Sequence, residues 1–139
     1  MSNQHKPTVK QINLLKKFDI ELPPKITKTA TRNIISFILK GNGTIGKDIN
    51  HRVNIFKKTQ KKWEGKQIRR KRDPDACGTI INISAKSRGE IIEEIKTQEE
   101  LIKLGWQEKK YIVSPFAANV NWDNEKPSRV SLGSLKIIE

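Results

Sequence analysis

The 139-residue chain carries 28 Lys plus Arg against 15 Asp plus Glu, a formal net charge of +13, and only 35% of it is hydrophobic. That length suits one domain or two very small modules and excludes a large catalytic fold, while the low apolar content leaves a modest core. A single cysteine, Cys77, excludes an internal disulfide and the multi-cysteine zinc modules, and fits a reducing compartment.

In chain order, Thr8-Val9-Lys10-Gln11 has the pattern of a capping box, which predicts a helix with Ile12, Leu15 and Phe18 on one face before Pro23-Pro24 ends it. A second helix is expected over residues 28–39, with Ala30, Ile34, Phe37 and Ile38 inward and Gly41 as its C-terminal cap. After the break at Gly41-Asn42-Gly43, Ile45, Ile49, Val53 and Phe56 set the inner face of a third helix. This helix would display Arg52, Lys57, Lys58, Lys61 and Lys62 to solvent. From Gly65 the pattern changes. Residues 66–72 read as an exposed basic strand, Asp73-Pro74-Asp75 as a turn, and residues 78–83 as a β-branched strand. Two further capping-box patterns follow, at Ser87-Arg88-Gly89-Glu90 and Thr97-Gln98-Glu99-Glu100. Residues 89–96 read as either helix or strand, and residues 98–104 as helix ending at Gly105. Ala118, Val120 and Trp122 then alternate with Asn119, Asn121 and Asp123 as a half-buried strand does. After a turn at residues 124–127, short strands are expected at 129–131 and 135–138.

Two stretches resemble known modules. Thr8, Lys10-Gln11, Leu14-Leu15, Pro23-Pro24, Ile26-Thr27-Lys28 and Ala30 are similar to a short helical motif that recurs beside nucleic-acid-processing domains and looks somewhat like the SAP-type helix-extended-helix. The resemblance implies an accessory binding or docking module. Cys77-Gly78-Thr79-Ile80, Val120-Asn121-Trp122-Asp123, Ser128-Arg129-Val130 and Leu135-Lys136-Ile137 resemble the strand succession of an SH3-like barrel of the KOW or Tudor kind, from which the residues between Ser84 and Tyr111 depart as a long excursion.

Few groups are available for chemistry. Gly41-Asn42-Gly43-Thr44-Ile45-Gly46-Lys47-Asp48 resembles a phosphate-binding loop, but it follows a helix, and Asp48 stands where a hydroxyl should ligate Mg²⁺, so an interhelix loop is the better reading. Pro74-Asp75 and Glu94-Ile95-Lys96 reproduce the spacing of a PD-(D/E)-x-K nuclease. That chemistry needs Asp75 and Glu94 on neighbouring strands to hold Mg²⁺. His5 and His51 are too few for triad or zinc work, with His51 read as a partly exposed helical residue, and Cys77 reads as a small buried side chain. Trp106 and Trp122 read as core, whereas Trp63, inside the basic run, reads equally as core or as a stacking group.

Charge is the strongest signal. Residues 1–75 hold 19 basic and 6 acidic residues, residues 76–139 nine of each, and residues 52–72 hold ten basic residues with Glu64 as their one acid. Such a run repels itself unless a polyanion lies against it. We therefore expect an α+β protein: a helical, basic region over residues 1–62 and a small SH3-like β-barrel module with a helical insertion over residues 63–139. The expected function is a non-enzymatic, cytoplasmic accessory factor that binds DNA or RNA through phosphates, such as a phage or mobile-element regulator, a nucleoid factor or a ribonucleoprotein factor. Its expected contacts are Arg52, Lys57, Lys58, Lys61, Lys62, Trp63, Lys66, Arg69, Arg70, Lys71 and Arg72, with no cofactor, catalytic residue, metal or membrane. Two alternatives stand beside it: a small inhibitor that occupies a protein or its nucleic-acid channel, and the Mg²⁺-dependent nuclease.

Overall fold

In the structure, a computed structural model, residues 5–43 and 48–138 are described. Helix α1 spans Val9–Lys17 and starts as its sequence requires. Thr8 Oγ1 accepts from Gln11 N–H at 3.1 Å, and Gln11 Oε1 accepts from Thr8 N–H at 2.9 Å. Helix α2, Lys28–Lys40, is capped by Thr27 and closed by Gly41, whose φ of 78° lies in the left-handed region that glycine tolerates. Its Ala30, Ile34, Phe37 and Ile38 are all buried, at the spacing read from the sequence. Helix α3, Ile49–Trp63, begins at Asp48, which accepts from His51 N–H at 2.8 Å. Val53 and Phe56 turn inward as expected, but Ile49 is exposed. Ile45 and the remainder of the glycine-rich loop up to Lys47 lie outside the described residues.

The second half of the chain forms five antiparallel strands: β1 Gln67–Arg70, β2 Cys77–Ala85, β3 Phe116–Trp122, β4 Ser128–Ser131 and β5 Leu135–Ile137. Their order is β4-β3-β2-β1-β5 and the sheet is open, with β4 and β5 as its edges. Between β2 and β3 runs helix α4, Arg88–Lys103, and a short 3-10 turn, Leu132–Ser134, precedes β5. The fold is thus α+β with a helical insertion.

Residues 89–96 resolve as helix. Ser87 and Glu90 make a true capping box, whereas Thr97 sits inside the helix and returns its hydroxyl to Glu93 O at 2.9 Å.

The register of β2 on β3 slips between Ile80 and Asn82. This bulge lets Ile80 and Ile83, three residues apart, oppose Val120 and Ala118 on one buried face. Phe116 packs edge-on to Phe37 at 5.1 Å and against Phe56 at 5.9 Å, so α2, α3 and the sheet share one interior. Each such ring contributes roughly 1.5–3 kcal/mol by burial. A second tie is polar. Buried Asn82 accepts from Asn119 Nδ2 at 2.8 Å and donates to Pro24 O at 2.7 Å, which docks the α1–α2 connection on the sheet.

Besides Ile49, a second inward assignment is corrected. Trp106, read as core because it follows an amphipathic helix, is 82% exposed. The chain reverses at Gly105, φ 80°, and Trp106 N–H returns to Leu101 O at 2.8 Å, which directs the indole outward. Trp122, by contrast, is 4% exposed, as its alternation with Val120 and Ala118 requires.

Candidate functional site

The basic run begins on α3. With Val53 and Phe56 anchoring the inner face, Lys58, Lys61 and Lys62 stand exposed. Lys57 is half-buried and pairs with Asp19 at 3.3 Å, and Gln60 Nε2 donates to Glu21 O at 3.0 Å. These two contacts bring the end of α1, with exposed Lys16 and Lys17 in its last turn, beside the lysine face of α3. Arg52 does not share that face, contrary to the helical-wheel expectation. It is 8% exposed, and its guanidinium donates to Ile38 O at 2.8 Å and Leu39 O at 3.1 Å. There it satisfies the last carbonyls of α2 and complements the negative end of that helix.

Glu64, the single acid in the run, is turned away from it. Its Oε1 accepts from Ile83 N–H at 3.3 Å, and burial raises its pKa above the ordinary carboxylate value against the opposing effect of that hydrogen bond. Gly65 then turns the chain with φ 74° into exposed Lys66 and β1. The expectation of an exposed strand fails at this point. β1 is an inner strand, paired with β2 on one side and β5 on the other, because Ile68 is fully buried between them. Arg69 and Arg70 are half-buried as a result. Arg70 lays its guanidinium 4.2 Å over the Trp122 ring, with a long 3.5 Å contact to Glu125. Lys71 and Arg72 emerge at the far end, on a β1–β2 turn closed by Ala76 N–H to Asp73 O at 3.0 Å. Trp63 is half-buried against the core, and Lys62 Nζ lies 5.6 Å from its ring.

The run is therefore two clusters. Lys58, Lys61, Lys62 and Lys66 lie at one end of β1, and Lys71 and Arg72 at the other. At about 3.3 Å per residue the strand separates Lys66 from Lys71 by roughly 16 Å. Among the described residues, none of these six exposed cations is paired with a carboxylate.

A second polar assembly, absent from the sequence reading, joins α4 to the sheet. Lys86 is 3% exposed and donates to Glu94 Oε1 at 2.8 Å and to Ser131 Oγ at 2.7 Å. Arg129 grips Glu90 through Nη2 at 2.9 Å and Nε at 3.2 Å, and also bonds Ser84 and Ala85 O. Burial pushes the Glu90 pKa up, but the hydrogen bonds from Arg129 and Ser87, with the Arg129 charge, outweigh it and hold the carboxyl below its ordinary value. These groups border a cleft of about 350 Å³. Both of its cations bind a carboxylate of α4, Lys86 to Glu94 and Arg129 to Glu90, so the assembly acts as a brace between helix and sheet. No spacing rule pairs Lys86 or Arg129 with carboxylates on a helix that also reads as a strand.

The remaining candidates lie apart. Asp75 sits in the β1–β2 turn and Glu94 on α4, so they do not occupy the neighbouring strands that the nuclease chemistry needs. No cluster of three or more His, Cys, Asp or Glu side chains suited to a metal occurs among the described residues. His51 is exposed on α3, and Cys77 is only half-buried, with its Sγ 3.5 Å from Pro74 O. No described helix is long and apolar enough to cross a membrane. Compared with family models, curated protein sequences and solved structures, the chain shows no match.

Proposed function

We propose that the protein binds nucleic acid through its phosphates, as an accessory factor without catalytic activity of its own. One observation carries the reading: the only acid within residues 52–72 turns its carboxylate to Ile83 N–H, which leaves Lys58, Lys61, Lys62, Lys66, Lys71 and Arg72 exposed, with Asp73 and Asp75 as the exposed acids on the turn that follows Arg72. Lysines on a helix offer mobile point charges, and Arg72 adds a fork that grips two phosphate oxygens, which suits backbone contact more than base readout. In this reading residues 1–62 supply most of the charge and residues 63–139 the scaffold. We read that scaffold as SH3-like: β1 to β4 are successive neighbours, and β5 returns to β1 after a 3-10 turn. A cytoplasmic role in a phage, mobile-element, nucleoid or ribonucleoprotein setting follows the same reading.

The test is fluorescence anisotropy of labelled oligonucleotides across a salt series. Engagement of all six cations predicts a slope of log K against log[salt] of about −5 on duplex DNA and about −4 on single strands. Replacing Lys58, Lys61, Lys62 and Lys66 by Gln should weaken binding to every sequence and flatten the slope by about 3–4. An unchanged slope in that variant overturns the site. Absence of binding by the parent at low salt overturns the function and points to an acidic protein surface as the partner.

A further inference from the structure

Away from the basic run, large apolar side chains are displayed on the excursion between β2 and β3. Trp106 is 82% exposed and Ile112 86%, with Leu104 and Tyr111 more than half exposed. This segment is held firmly. Gln98, buried on α4, accepts from Tyr111 N–H at 2.9 Å and donates to Tyr111 O at 3.2 Å. Gln107 Nε2 reaches Lys109 O at 2.9 Å and Gln98 Oε1 at 3.4 Å. Together with the Trp106 N–H bond to Leu101 O, these contacts make a ledge on the last turns of α4 that holds an indole in solvent. Lys103, Lys109 and Lys110 are exposed beside it, as are Glu99, Glu100 and Glu108, with Lys110 only loosely paired with Glu99 at 3.7 Å.

The ledge also adjoins the basic turn. Lys71 N–H donates to Ser134 O at 3.0 Å, which seats the β1–β2 turn on the 3-10 segment after β4. Ser131, at the start of that segment, accepts from Lys86, which pairs with Glu94 on α4. Tyr111 faces Glu94: burial first, then the Glu94 charge and hydrogen bond, raise its pKa, and the Arg72 charge opposes them. From Glu94 to Lys103 the helix rises about 14 Å.

We infer that the ledge is a stacking platform for an unpaired base, which makes the preferred ligand a single-stranded nucleic acid with Trp106 on a base face and Arg72, Lys103 and Lys109 on neighbouring phosphates. This rests on the nucleic-acid reading above. An exposed aromatic ring flanked by cations matches a strand that offers both π faces and phosphates, whereas a duplex hides its base faces in the stack. The basic run offers no equivalent ring: Trp63 is half-buried against the core, and Trp122 is buried beneath Arg70.

The experiment compares the full-length parent with Trp106→Ala, using a labelled 12-nucleotide oligothymidine or oligouridine and a labelled duplex of equal length in the anisotropy assay. Loss of one stacked base, worth about 1–3 kcal/mol, is a drop of about 5- to 150-fold in single-strand affinity. Duplex affinity should change less than about two-fold. Unchanged single-strand affinity, or an equal loss on both ligands, overturns the platform while leaving the phosphate site standing. A parent that binds neither ligand overturns both. Sedimentation of the two proteins covers the remaining occupant: a parent dimer that Trp106→Ala dissociates without loss of single-strand affinity assigns the ledge to a second copy of the chain and overturns the inference.

Discussion

Arg52 and the exposed lysines of the run should respond to substitution in opposite ways. Arg52→Met keeps most of the apolar stem but removes the guanidinium from Ile38 O and Leu39 O. Two carbonyls at a buried helix end then lose charged donors, and hydrogen bonds of that kind contribute roughly 1.5–3 kcal/mol each. Because the carbonyls keep some access to neighbouring amides and water, the net loss should be on the order of 2–3 kcal/mol, a large share of the roughly 5–15 kcal/mol of a small domain. With a urea m-value of about 1–2 kcal/mol/M, the midpoint should fall by about 1–3 M. Affinity for oligonucleotides, measured where the variant is still folded, should stay within about two-fold of the parent. Lys61→Gln with Lys62→Gln should do the reverse. Stability should stay within about 0.5 kcal/mol, while the salt slope flattens by about 2. The assays are urea unfolding followed by tryptophan fluorescence, and anisotropy. An Arg52→Met protein that keeps its midpoint but loses binding would refute the assignment of Arg52 to the α2 end and return it to the contact surface.

Other substitutions probe the fold and its brace. A Cβ on Gly78 would meet Asn121 O at 2.7 Å and Val120 Cγ1 at 2.9 Å, so Gly78→Ala should cost about 1–3 kcal/mol, read from urea melts. Phe116→Ala, which empties the ring contacts to Phe37 and Phe56, should cost about 3–5 kcal/mol in the same measurement. Against the effect of burial, Arg129 and Ser87 hold Glu90 below the ordinary carboxylate value, so its contribution is present above that value and is lost as pH falls through the lower folded one. Arg129→Gln should lower neutral-pH stability and shrink that acid-side loss, as urea melts over a pH series would show.

Local signals accounted for the elements more fully than for their arrangement. Thr8 and Ser87, read as capping-box residues, cap the helices that follow them because capping is decided within four residues of chain, and the structure adds Thr27 and Asp48 as caps of α2 and α3. The alternation of Ala118, Val120 and Trp122 located β3 for the same reason. Residues 89–96 stayed ambiguous because α4 buries little besides Ile91 and Gln98, and a helix that packs weakly shows a weak period. The inner position of β1 could not be read at all. A strand with four charged neighbours looks like an edge, and only its pairing with both β2 and β5 reveals that Ile68 is the residue it is built around.

The candidate site shows the same division in electrostatic terms. Counting ten basic residues against Glu64 measures the potential of the run but not its direction, since each side chain answers to partners that are distant in sequence. Arg52 serves α2, Lys57 answers Asp19, and Arg70 lies on Trp122 beside Glu125. Those three links span 14, 38 and up to 55 residues, so no window drawn around the run contains them. The fold thereby takes the most self-repelling part of the chain and commits three of its cations to structure. Arg69 is half-buried on β1, and the six that are exposed keep their charge available; bringing them together in the folded state carries a repulsive cost that a bound polyanion would relieve.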